Sequence, residues 1–147
     1  MDRDQYEREI ILRLFQTSNA LQTYIDKLLV ADHLTAKQFF MMIIIGTFPS
    51  PPRIGELSEV FGTSHQNVKQ VLLKLERQGY VTLYKDEVDS RVLRVIFTEK
   101  ATTYWGQRND NDASIIQELF SALSTPELEG FYKGLKVTVE QIRKLQQ

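Results

Sequence analysis

Between Ile54 and Phe97 the spacing of apolar residues changes from three-and-four to two, and this change restricts the fold more than any other feature of the chain. Ile54, Leu57, Val60 and Phe61 recur at helical intervals and stop at Gly62. Thr63-Ser64-His65-Gln66 then reads as a capping box, and Val68, Val71, Leu72 and Leu75 place an apolar stripe on a helix that runs to about Gln78. Gly79 suits the left-handed residue that ends such a helix. From there the period is that of a strand. Tyr80–Lys85 and Val92–Phe97 are rich in β-branched and aromatic residues, and the polar run Asp86-Glu87-Val88-Asp89-Ser90-Arg91 separates them as a hairpin tip. Two short helices joined through a glycine turn make a helix-turn-helix, and a hairpin directly behind them makes its wing.

The flanks read as helices. Asp4 to Val30 holds Tyr6, Ile10, Leu14, Thr17, Leu21, Tyr24, Ile25 and Leu28 on one stripe without Pro or Gly. At 1.5 Å per residue this helix approaches about 40 Å, a length that calls for a partner to cover it. Thr35 and Gln38 form a capping box before a helix apolar nearly all round, Phe39 to Ile45, which is expected to be the buried one; Pro49-Ser50-Pro51-Pro52 ends it. Beyond the hairpin, Thr98 is expected to cap a helix containing Ala101, Tyr104, Trp105, Ile115, Ile116, Leu119 and Leu123, with a very polar middle over Gln107–Asp112. Thr125 is expected to cap the last helix with Pro126 in its first position, and its stripe is Leu128, Phe131, Leu135, Thr138, Val139, Ile142 and Leu145. The expected class is mostly α with a small β-hairpin (α+β): a winged helix-turn-helix DNA-binding domain over 35–100 and a helical dimerisation region from 1–34 and 101–147.

Composition removes several function classes. The chain has no cysteine, which excludes disulfides, thiolate metal sites and thiol redox sensing. Its two histidines, His33 and His65, have no carboxylates at ligand spacing, so neither a metal nor another cofactor is expected. No G-x-S-x-G, P-loop or dinucleotide fingerprint is present, and an enzyme is not expected. Met1-Asp2-Arg3-Asp4-Gln5 is charged and lacks the apolar core of a signal peptide, and the longest apolar run is too short to span a bilayer; the expectation is a cytoplasmic protein with no membrane partner. The net charge of −1 is no signature of nucleic-acid binding, so any cations that serve it must cluster on one face.

Three strings in register behind the helix-turn-helix resemble the MarR family of transcription regulators: Leu75-Glu76-Arg77-Gln78-Gly79-Tyr80-Val81, Asp86-x-x-Asp89-x-Arg91, and Phe97-Thr98-Glu99-Lys100-Ala101. The resemblance covers nearly the whole chain and is most specific from Gly62 to Ala101. It implies a homodimer in which the first and last two helices of each chain interlock, recognition helices in successive major grooves, and wings toward the minor groove. It also implies a small aromatic or phenolic ligand between the dimerisation and DNA-binding regions. Departures from the family pattern fall on the recognition helix. Gln70 stands where an Arg is usual, Lys69 where a small hydroxyl residue precedes it, and Leu73 where an acidic residue is common.

With Val68, Val71, Leu72 and Leu75 turned to the core, the helix presents Ser64, His65, Gln66, Asn67, Lys69, Gln70 and Lys74 to solvent or to a groove of DNA. Gln66 and Gln70 suit adenine N6/N7 and Lys69 suits guanine O6/N7; Ser64, Asn67 and Lys74 suit the sugar–phosphate backbone, and His65 either. Arg91 at the hairpin tip suits a narrow A·T minor groove, with Asp89 holding its guanidinium. Arg53 and Arg94 are secondary phosphate candidates. The bland alternative for each is a solvated surface residue, and for Arg91 a surface ion pair of little worth. Tyr6, Phe15, Tyr24, Phe39, Phe40, Phe48, Tyr104 and Trp105 are read first as core or interface, as aromatics at helical spacing more often are, and second as the lining of a ligand cavity. The expected function is a sequence-specific repressor on a pseudo-palindromic operator of double-stranded DNA, released by a small ligand. The alternative is a winged-helix protein-interaction module that does not bind DNA.

Overall fold

The computed structural model describes residues 1–147, except for the side chains of Asn109 and Asp110. Among the described residues the order is α1 (Arg3–Leu28), a 3₁₀ turn (Val30–Asp32), α2 (Ala36–Gly46), α3 (Ile54–Phe61), α4 (His65–Arg77), β1 (Val81–Lys85), β2 (Leu93–Phe97), α5 (Glu99–Gly106), α6 (Asn109–Leu119) and α7 (Thr125–Leu145). The chain divides into two compact units, Met1–Thr102 and Thr103–Gln147. The first holds α1 together with the winged region.

In the first unit the core follows the apolar stripes. Met41 and Met42 of α2, Leu57 of α3, Val68, Leu72 and Leu75 of α4 and Val95 of β2 are all 0% exposed. Burying an aliphatic side chain of this kind contributes roughly 1.5–3 kcal/mol each, so this cluster sets the angle between the two short helices and the hairpin. As expected, α2 is a buried helix, with Ala36, Gln38, Met41, Met42 and Ile45 inside, although Ile43 is exposed. Its N-terminus is closed twice: Thr35 and Gln38 exchange the bonds of a capping box, and the Asp26 carboxylate of α1 accepts from the Ala36 N–H at 2.6 Å. Gly62 and Gly79 take φ of +76° and +82°, conformations that a residue with a Cβ adopts only with strain, and they end α3 and α4 respectively.

The hairpin is antiparallel, in register from Val81↔Phe97 to Lys85↔Leu93. Its second strand is tied to the segment before α3: the Val95 N–H donates to the Pro52 carbonyl at 3.1 Å, and Arg53 pairs with Arg94 as an isolated bridge. The C-terminus of α4 is tied on two sides, with Gln78 Nε2 donating to the His33 carbonyl at 2.6 Å and Lys100 Nζ donating to the Gln78 carbonyl.

Three boundaries differ from expectation. The cap of α4 is Ser64, not Thr63: the Ser64 Oγ accepts the Asn67 N–H at 3.2 Å, while the Thr63 Oγ1 is taken by the Asn67 side-chain amide at 2.9 Å. Ser124, not Thr125, caps α7, because the Glu127 carboxylate accepts from both the N–H and the hydroxyl of Ser124; Pro126 thereby becomes the second helical residue. The single helix expected after Thr98 is two, α5 and α6, parted after Gly106, whose missing side chain lowers helix propensity there. Of the polar stretch Gln107–Asp112, the side chains at 109 and 110 lie outside the described residues; Arg108 pairs with Asp112 at 3.1 Å.

Among the described residues neither α1 nor α7 buries a side chain. Ile10 on α1 is 52% exposed and Leu145 on α7 is 75% exposed, within stripes whose spacing is that of a packed helix.

Candidate nucleic-acid interface

The α4 helix presents to the outside what its core stripe leaves over. With Val68, Leu72 and Leu75 buried, Gln66, Lys69, Gln70 and Lys74 are exposed. The first turn adds Ser64, His65 and Asn67, also exposed, with the Ser64 hydroxyl and the Asn67 amide partly engaged in the cap. His65 leans toward α3: a Cβ added to Gly55 would sit 3.3 Å from its Nε2, so glycine at 55 makes room for the imidazole.

Between α4, the start of α3 and the wing lies an open groove of about 520 Å³. Arg53, Glu56, Glu59, His65, Gln66, Lys69 and Arg91 all line it. Five of the residues singled out in the sequence, Arg53, His65, Gln66, Lys69 and Arg91, therefore share one concavity although they lie far apart along the chain. Ser64, Asn67, Gln70 and Lys74 lie on or before the same helix but do not line it. Arg53 stands at the N-terminus of α3, where its N–H donates to Glu56 at 3.1 Å and its guanidinium approaches the same carboxylate at 3.8 Å. That exposed pair leaves the guanidinium accessible.

At the wing tip the Arg91 side chain is 89% exposed. Two guanidinium bonds of 3.1 Å run to the two oxygens of Asp89, and the Arg91 backbone N–H adds a third at 3.1 Å. This donation by Arg91, first through its side chain and then through its backbone, holds the Asp89 carboxyl below its ordinary range. The pairing expected from the sequence is thus formed, and it orients the guanidinium edge while its charge faces outward.

Arg94 does something other than what the sequence suggested. Expected as a phosphate contact, its side chain is only 23% exposed; it is paired with Asp86, itself 15% exposed, and donates from Nη1 to the Pro51 carbonyl at 2.7 Å. The Arg94 hydrogen bond is the chief cause that keeps Asp86 ionised below the usual carboxylate range, and in return the Arg94 pKa is raised. Cross-strand register explains the miss. Arg94 stands opposite Tyr84, so Asp86, two residues further along, is its diagonal neighbour on the same face. Once the register is known that contact is legible; composition alone does not reveal it. The role of Gly55 beside His65 was missed as well, and only the helix crossing reveals it.

An outward polar helix held beside a hairpin with an arginine tip defines a winged helix-turn-helix protein. Residues 34–92 match the model of the MarR family. The transcriptional activatory protein BadR of Rhodopseudomonas palustris is 26% identical over 98 residues, which cover 65% of this chain and 56% of BadR, little more than half of that relative's length. Among solved structures, the transcriptional regulator BldR from Sulfolobus solfataricus is similar with a TM-score of 0.83 at 16% identity, over 96% of this chain and 99% of that one. The S. aureus MepR–DNA complex is similar with a TM-score of 0.77 at 17% identity, over 97% and 99% of the two chains. Among the described residues no cluster of potential metal ligands occurs, and no helix is long and apolar enough to cross a membrane.

Proposed function

We propose that the protein is a cytoplasmic, sequence-specific transcription regulator that binds double-stranded DNA as a homodimer. The observation that carries this is the shared groove, in which Gln66 and Lys69 of the recognition helix open onto the same space as the wing's Arg91. A recognition helix enters the major groove by its first turns, while a hairpin tip reaches the flanking minor groove. In this reading Gln66, Lys69 and Gln70 meet base edges, and Ser64, Asn67, Lys74 and Arg53 meet the backbone. His65 sits where either is in reach, and Arg91 enters the minor groove. MepR, a structural relative, is crystallised with DNA, which supports the same partner here. The near-neutral net charge fits a protein whose affinity depends on a local patch and on base contacts.

The homodimer is supported by α1 and α7, where Tyr6, Ile10, Ile142 and Leu145 of the apolar stripes are left exposed within one chain. Two copies place two recognition helices on half-sites about one helical turn apart, so the operator is pseudo-palindromic. Repression and release by a small aromatic ligand, both expected from the sequence, complete the proposal. Light scattering at micromolar concentration should give twice the chain mass; a monomer refutes the dimer. Selection of bound duplexes from a random pool should return an inverted repeat, bound with Kd on the order of 10⁻⁸ M or tighter and weakening steeply with salt. A pool that returns no preferred sequence refutes the regulator and favours the protein-interaction module. A reporter placed behind the selected site should fall in expression on adding the protein and recover with an aromatic acid; a rise instead would make the protein an activator.

A further inference from the structure

We propose that Arg94 and Asp86 are positioning residues that fix the wing tip, so that Arg91 reaches the minor groove already oriented; this rests on the DNA-binding reading above. The tip has no packing of its own to hold it, since Val88 at its centre is 97% exposed. Polar bonds order it instead, and they form one continuous chain. Pro51 and Pro52 are rigid in φ and precede α3. The Pro51 carbonyl accepts from Arg94 Nη1 at 2.7 Å, and Arg94 Nε donates to Asp86 Oδ1. The second oxygen of the same carboxylate accepts the N–H groups of Val88 at 3.2 Å and Asp89 at 3.1 Å. Asp89 then holds Arg91 by both its backbone and its guanidinium.

Asp86 is therefore the joint between the base of the wing and its tip, one oxygen facing each way. Arg94 anchors that joint to the segment that starts α3. The fixed fork of the guanidinium serves Asp86 and the Pro51 carbonyl at once from a rigid plane; the ammonium of a lysine, a compact donor on a flexible stem, holds the two less firmly. A tip ordered before binding loses little freedom when it enters DNA, which strengthens binding without a new contact. Arg94 thus acts on DNA through Arg91, although it carries the same charge as a phosphate ligand.

The test compares wild type, Arg94→Lys, Arg91→Ala and the double variant, each checked for an intact thermal transition. Backbone order parameters over residues 87–91 of the free protein should be about 0.85 in wild type and fall below about 0.6 in Arg94→Lys. Competition between duplexes that differ only in A·T or G·C flanks reads the minor-groove contact. Arg94→Lys and Arg91→Ala should each reduce flank preference by about tenfold, within the range of one mismatched base pair, while preference for the core half-site stays. The double variant should lose no more than Arg91→Ala alone. A tip as ordered in Arg94→Lys as in wild type overturns the proposal. So does an additive loss in the double variant, which would make Arg94 a phosphate ligand in its own right. If Arg94→Lys does not fold, Asp86→Asn cuts the same link from the carboxylate side and carries the same comparison. A wild type with no duplex preference at all refutes the regulator reading instead, and the order parameters then decide the wing link by themselves.

Discussion

Substitutions at Ser64 separate what the recognition helix needs for its own stability from what it needs for DNA. The Ser64 hydroxyl accepts the Asn67 N–H at 3.2 Å and so satisfies one of the orphan donors of the first turn. Ser64→Ala removes that acceptor at a cost of about 1 kcal/mol, toward the low end because the turn is exposed and water can solvate the freed N–H. For a chain of this size that lowers the thermal midpoint by about 2–4 °C. Ser64→Asp keeps an acceptor and adds a negative charge at a helix N-terminus, which is favourable by about 0.3–1 kcal/mol, so its midpoint should match or exceed wild type. DNA binding should rank the variants differently. If this turn abuts a phosphate, the added carboxylate meets a like charge, and at 4 Å that costs about 1 kcal/mol fully solvated and about 4 kcal/mol near a protein surface. Affinity should then fall by at least fivefold per half-site, and by more at 50 mM salt than at 200 mM. Differential scanning fluorimetry gives the first ranking and fluorescence anisotropy across that salt range gives the second. A Ser64→Asp protein that melts like wild type and binds its selected duplex equally well would refute the placement of this helix against the DNA backbone.

Lys69→Ala and Gln70→Ala should each cost about 1–3 kcal/mol of discrimination between the selected site and single-base variants, with wild-type melting; unchanged discrimination in both, by competition anisotropy, refutes the base assignment. Leu72→Ala, at a side chain that is 0% exposed beneath the recognition helix, should destabilise by about 2–5 kcal/mol in chemical denaturation; a loss below 1 kcal/mol would mean that the helix is not seated on that core. The wing should be insensitive to pH between about 5 and 8 and loosen only in acid. Asp86 and Asp89 both have carboxyls lowered in the folded chain, chiefly by hydrogen bonds from Arg94 and Arg91 respectively, while the Asp86 charge pushes Asp89 up and Arg53 pulls it slightly down. Depressed pKa values contribute stability that is complete above the unfolded value, about 3.9, and is lost as pH falls through the folded ones. Loss of tip order already at pH 6, seen by NMR, would contradict that pairing.

Local chemistry made much of this molecule legible before its three-dimensional structure. The Thr35–Gln38 box, the glycines at 62 and 79, the stripe Val68-Leu72-Leu75 and the switch to a strand period all act within a few residues, and each appears where its chemistry places it. The outward face of α4 follows from that stripe, because a helix that buries three residues of one side must expose those opposite. Which neighbouring hydroxyl takes a cap is a near-degenerate choice, and the structure settled it for Ser64 over Thr63 and for Ser124 over Thr125. Only tertiary structure decided what the charged residues of the wing do. Arg91 and Arg94 are alike in sequence, yet one is 89% exposed and the other is turned onto Asp86 and Pro51, 43 positions away along the chain. That difference comes from strand register and from a carbonyl that the chain brings back from a distant loop, and no short window of sequence contains either.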